Sequence, residues 1–165
     1  VSGAGIAVEE LAKGGEGEWD AFVAAHPGHS HYHRAGWAEV IRAAFGRRPL
    51  YRLARAGGRV EGVLPLVSFA HPLFGRYLVS VPFLNRGGLL FTTDRARDAL
   101  LEEARALLQR TRSSFCELRH VRGIDPSLPA RETKVSMGLD LRPGREALWK
   151  SIGPKVRNLV RKAER

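Results

Sequence analysis

The chain has 165 residues, 44% of them hydrophobic and 27% charged, with a formal net charge of +10. That length supports one domain with a full core and hardly two, and no run approaches the roughly 18 apolar residues of a membrane span. A single cysteine, Cys116, excludes an internal disulfide and fits a reducing compartment. The N-terminus, VSGAGIAVEEL, has no basic region followed by an apolar core, so no secretory signal is read there and a cytoplasmic location is expected.

In chain order, Ile6 to Leu11 predicts a strand and Glu18 to Ala25 a short helix, with Trp19, Phe22 and Val23 on one face before Pro27-Gly28 stops it. Ala35 to Phe45 reads as a second helix, capped by Gly46. Tyr51 to Arg55 alternates apolar and polar, and Gly57-Gly58 supplies the positive-φ pair of a tight hairpin. Arg59 to Phe69 returns as the partner strand, in which Pro65 predicts an edge or a bulge. Arg76 to Val81 and Leu89 to Phe91 follow as strands around the glycine-rich loop PFLNRGG, Pro82 to Gly88. Thr93 or Asp94 caps a long helix to about Thr111. Phe115 to Val121 and Thr133 to Leu141 predict two more strands, Glu146 to Ile152 a helical turn or two, and Pro154 opens a last helix. The order β-α-α-β-β-β-β-α-β-β-α implies a mixed α/β (α+β) fold whose largely antiparallel sheet is flanked by helices.

The net charge points to an anionic partner such as RNA, a nucleotide, a phospholipid surface or a phosphorylated intermediate. Lys150, Lys155, Arg157, Arg161, Lys162 and Arg165, against Glu164, put about half of it into the last 16 residues. In that tail Val156, Leu159, Val160 and Ala163 form an apolar stripe, with Lys155, Asn158, Arg161, Lys162 and Arg165 on the remaining faces. In PFLNRGG, Asn85 and Arg86 are polar groups beside glycines that permit close approach of a ligand.

Other constellations carry less. His29, His31 and His33 alternate, so an extended segment would aim them to one side, where imidazoles can take a transition metal. No cysteine or carboxylate lies beside them, and packed histidines in an interhelical loop are expected instead of a metal. Cys116 sits within an apolar strand pattern and is expected to be inert packing rather than a nucleophile. No carboxylate pair, Ser-His-Asp order, phosphate-binding loop or CxxC is present.

Six stretches together resemble the N-terminal half of FemAB-like proteins, in particular the exopolysaccharide/PEP-CTERM-associated branch of the GNAT-type acyltransferases. They are HYHRAGWAEVIRAAFGRRPLY (residues 31–51), VEGVLPLV (60–67), LFGRYLVSVPFLNRGG (73–88), ELR (117–119), TKVSMGLDL (133–141) and LWKSIGPKVRNLVRKAER (148–165). The resemblance implies a GNAT-like domain over residues 1–145 and a basic amphipathic helix over 146–165 that leads to a second GNAT-like domain. It also implies an acyl or aminoacyl transfer, to a cell-envelope or exopolysaccharide precursor, in which this half contributes substrate binding. The partners it implies are charged tRNA, another acyl donor or a nucleotide-linked precursor. The candidate binding residues on the matching pieces are Tyr32, Trp37, Asn85, Arg86, Lys134, Lys155, Arg157, Asn158, Arg161 and Lys162. Relatives often carry an aromatic where Arg86 stands. No cofactor is expected in this half: the turn LLFTTDRARDALL has no glycine to cradle a CoA pyrophosphate, and Asp94 stands where the anion would approach. The alternative expectation is a small basic module that binds RNA or another polyanion without chemistry of its own.

Overall fold

A computed structural model describes residues 5–73, 75–131 and 137–164. The chain divides into two compact units, Val1–Ala130 and Arg131–Arg165.

The first unit is built on the β2–β3 hairpin. β2 (Arg48–Ala56) and β3 (Arg59–His71) meet through Gly57 and Gly58, at φ 55° and 81°, the left-handed pair that a two-residue turn requires. β1 (Ala7–Glu10) pairs with β2, and β4 (Gly75–Ser80) with the second half of β3, all antiparallel. β5 (Leu90–Phe91) pairs antiparallel with β3 at Gly62 and Val63, beyond the end of β4, and β6 (Cys116–Glu117) lies parallel to β4. The fold is therefore mixed α/β with a mostly antiparallel sheet flanked by helices.

Strand alternation loads both faces of that sheet. Tyr51, Leu53, Val63, Val67, Val79 and Val81 face the side packed by Trp19 and Val23 of α1 (Glu16–Ala25) and Ile41 of α2 (Gly36–Phe45). Leu50, Ala54, Leu64, Leu66 and Leu78 face α3 (Asp94–Thr111), which inserts Ala96, Leu100, Ala104 and Leu107. Thr93 caps α3, its Oγ1 accepting the Ala96 N–H at 3.3 Å, and Gly46, at φ 59°, ends α2.

Pro65 lies in a central strand, not at an edge, and the bulge falls elsewhere, where Ala54 pairs Gly62 and Arg55 pairs Val60. The Pro65 carbonyl accepts the Val81 N–H at 3.2 Å, so its missing donor faces the same side, just past the end of β4. A ladder bond is absent there in any case, which is why proline is tolerated. The strand expected over Phe115 to Val121 keeps only two ladder residues. After Glu117 the backbone turns to other partners: the Arg119 N–H donates to Ser80 Oγ at 2.8 Å, and the Arg119 carbonyl accepts from Gly87 and Gly88.

The second unit holds α4 (Gly144–Ser151) and α5 (Pro154–Ala163). Arg157 closes the end of α4 by donating to the carbonyls of Trp149, Lys150 and Ile152 at 3.2, 3.3 and 2.6 Å. Of the strand expected over Thr133 to Leu141, residues 132–136 lie outside the described residues, and Met137 to Leu141 are exposed and not in a ladder. Among the described residues no helix is long and apolar enough to cross a membrane.

Candidate functional site

Three short segments converge in the first unit: the loop after α1, the Gly87-Gly88 end of PFLNRGG running into β5, and the run Arg119-His120-Val121-Arg122 after β6. They enclose a cleft of about 280 Å³. Its floor is Leu89, Leu90, Phe91 and Ile124, and its polar lining is His26, His29, Ser30, His33, Arg86, Arg119, His120 and Arg122. Among the described residues no carboxylate lines it.

Histidines clamp the β5 approach. His26 Nδ1 accepts the Gly28 N–H at 3.0 Å, which leaves its proton on Nε2 to donate to the Phe91 carbonyl at 2.9 Å. His33 Nδ1 accepts the Ser30 N–H at 3.0 Å, and the ring's hydrogen bond to the Gly88 backbone completes it. His120 Nε2 donates to the Leu89 carbonyl at 3.2 Å. Three imidazoles thus satisfy the backbone of Gly88, Leu89 and Phe91, a stretch that has ladder partners only at β5. Burial lowers the pKa of His33 to about 4, against hydrogen bonds that would raise it, and burial also lowers that of His120.

Arg119 is the other anchor. Its guanidinium donates to the Leu84 carbonyl at 2.7 Å and to Glu117 at 2.7 Å, while its own carbonyl receives both glycine N–H groups. Gly88 has no substitute here, because a Cβ on it would lie 2.3 Å from His120 Nε2. With Arg119 committed to Leu84 and Glu117, Arg86 and Arg122 remain as exposed cations on the rim, without an ion pair among the described residues. Two free guanidiniums over an apolar floor suit a ligand with an anionic group on an apolar or ring-bearing body.

A larger cleft of about 560 Å³ lies between the β1–α1 connection and α2. Its charges are of both signs, and two of its carboxylates are already paired, Glu39 with Arg42 at 2.6 Å and Glu10 with Arg52 at 3.1 Å. It shows no field of one sign, so the smaller cleft is the better candidate.

The residues proposed from the sequence are only partly brought together. Arg86 is on the cleft rim, and Asn85 beside it is exposed. Tyr32 and Trp37 pack edge-on with His31, ring centroids 5.7 to 6.1 Å apart, and the Trp37 indole N–H donates to the His31 carbonyl at 3.1 Å. Lys134 lies outside the described residues. Lys155, Arg157, Asn158, Arg161 and Lys162 are on α5 of the second unit. The interhelical segment that carries His29, His31 and His33 is not extended: it forms a 3₁₀ turn over His31–His33, with His33 packed at 4% exposure and the other two exposed. No group of three or more potential metal ligands occurs among the described residues. Arg119, His120 and Arg122 were not among the sequence candidates, because Arg119 and His120 fall inside the strand expected over Phe115 to Val121, and only its end at Glu117 frees them to line the cleft.

No family model and no curated protein matches the chain. The structure is similar to a solved one, the crystal structure of FemX, with a TM-score of 0.48 and 24% sequence identity over 65% of this chain. The match covers 25% of the FemX chain, so this chain spans about a quarter of it.

Proposed function

We infer that this chain supplies the substrate-binding part of a Fem-like acyl- or aminoacyltransferase that modifies a cell-envelope or exopolysaccharide precursor, working with a second GNAT-like domain. Two things support it, the sequence resemblance and one observation: among the described residues the cleft has no carboxylate, and two arginines without an ion pair, Arg86 and Arg122, stand on its rim. Those arginines would hold the anionic part of the precursor, and the histidine clamp would hold the glycine loop in shape against it. Asn85, Tyr32 and Trp37 stand nearby in the chain as further contacts, and this part alone is expected to lack activity.

The test is calorimetric titration with a nucleotide-linked peptidoglycan precursor. Saturable binding is expected, weakened at least tenfold in a double Arg86→Gln, Arg122→Gln variant. Both side chains are exposed, so the variant should melt within a few degrees of the parent. Absence of binding, or equal binding by the variant, removes the cleft from the reading.

A further inference from the structure

α5 carries an apolar stripe with no cover within its own unit: none of its residues is buried, and Val156 and Leu159 are 48% and 60% exposed. Helical spacing puts Val156, Leu159, Val160 and Ala163 within an arc of about 100°. Lys155 and Lys162 border that arc on one side, Arg157 and Arg161 on the other. From Ala147 to Ala163 there is no acidic residue. Lys150, Lys155 and Lys162 have no ion pair among the described residues. The half-buried Trp149 lies under the Arg161 guanidinium at 5.6 Å. An amphipathic helix with apolar residues on one face, cations along both borders and a tryptophan at its approach has the composition of a segment that lies in a bilayer interface.

We propose that α5 binds an anionic membrane surface, its apolar stripe entering the headgroup boundary and Lys155 and Lys162 reaching lipid phosphates from the border. Two features select this occupant. A water-soluble polyanion would use the cations and leave the stripe in water, whereas a lipid surface satisfies both. A second copy of the chain would cover the stripe only by bringing two sets of cations together. Lysine stems can lie along the apolar boundary while the ammonium stays at the headgroups. Arg157 is excluded from the lipid contacts because its guanidinium is held by three carbonyls of α4 and the connecting turn. The proposal is independent of the cleft and of the transferase reading.

The experiment is flotation of the full chain with vesicles of phosphatidylcholine alone and of a 3:1 mixture with phosphatidylglycerol, alongside Trp149 fluorescence. Binding to the mixed vesicles alone is expected, with a blue shift that a Trp149→Phe variant lacks and a steep loss with added salt. Lys155→Gln and Lys162→Gln should each weaken it about fivefold. Leu159→Asp should abolish it. Leu159→Ala, which retains helix propensity, should weaken it severalfold. Sodium polyphosphate and size-exclusion chromatography complete the design. Binding of mixed vesicles that survives Leu159→Asp, or polyphosphate binding as tight as vesicle binding, makes the tail a plain polyanion site and overturns the proposal. A dimer dispersed by Leu159→Asp, with no vesicle binding by the parent, assigns the stripe to self-association and overturns it too.

Discussion

His33 shows how one side chain sets an environmental limit on the cleft. It is buried, its Nδ1 is an acceptor for the Ser30 N–H, and its pKa is about 4 in the folded chain. The unfolded chain binds that proton near pH 6.5. Between those values the unfolded state holds more protons, so stability is fully present above about pH 6.5 and falls as pH drops toward 4. The full span is worth roughly 3 kcal/mol. His26 and His120 in the same clamp, the exposed His29, and Arg86, Arg119 and Arg122 around it add no negative charge to shelter an imidazolium. Asparagine at this position keeps an acceptor for the Ser30 N–H and cannot titrate. In denaturant melts, the parent should lose about 2 kcal/mol between pH 7 and pH 5, and His33→Asn, though weaker at pH 7, should lose clearly less. Equal slopes in the two proteins would show that His33 is not the titrating group.

At the scale of elements, α3 is tied to the sheet by a charge as well as by its apolar face. Arg52 projects from β2 on the α3 side at 7% exposure, with Glu103 of α3 at 2.8 Å and Glu10 of β1 at 3.1 Å. A buried guanidinium that loses a partner costs more than the pair contributes. Glu103→Leu is therefore expected to destabilise by about 3 kcal/mol, while Arg52→Met, which removes the buried charge, should stay within about 1 kcal/mol; urea midpoints at neutral pH distinguish the two. The same elements show what a sequence can convey. The hairpin at Gly57-Gly58, the cap at Thr93 and the stop at Gly46 were readable because each is local chemistry. The histidine clamp was not, because His26, His33 and His120 meet through backbone carbonyls of a segment distant from all three in the chain. The run Phe115 to Val121 has the apolar content of a strand, yet its ends Phe115 and Val121 are exposed, and after Glu117 its backbone bonds pass to Ser80 and the two glycines. Arg86 was legible because it adjoins glycines; Arg119 and Arg122 acquire meaning only when β6 sets them beside that loop.

For the whole molecule, the distribution of the core along the chain decides what can be removed. Among the described residues, the two buried clusters and the partly buried residues packed on them lie between Ile6 and Leu128. The six strands among the described residues end by Glu117 and the helices that cover them by Thr111. The second unit contributes no buried residue from either of its helices. A chain ending at Ala130 should therefore fold, keep its β-sheet signature in circular dichroism and unfold cooperatively. Its melting temperature should lie within about 4 °C of the parent's, the shift expected from about 1 kcal/mol in a domain of this size. The urea dependence should fall only slightly, because it scales with the surface exposed on unfolding and nearly all of that surface belongs to the retained part. The described residues that line the cleft fall between His26 and Ile124, so precursor binding should survive the truncation while binding to anionic vesicles is lost. A truncated chain that is molten or insoluble would mean that residues 131 to 165 complete the core. Vesicle binding retained by it would move the lipid contact off α5 and onto the first unit.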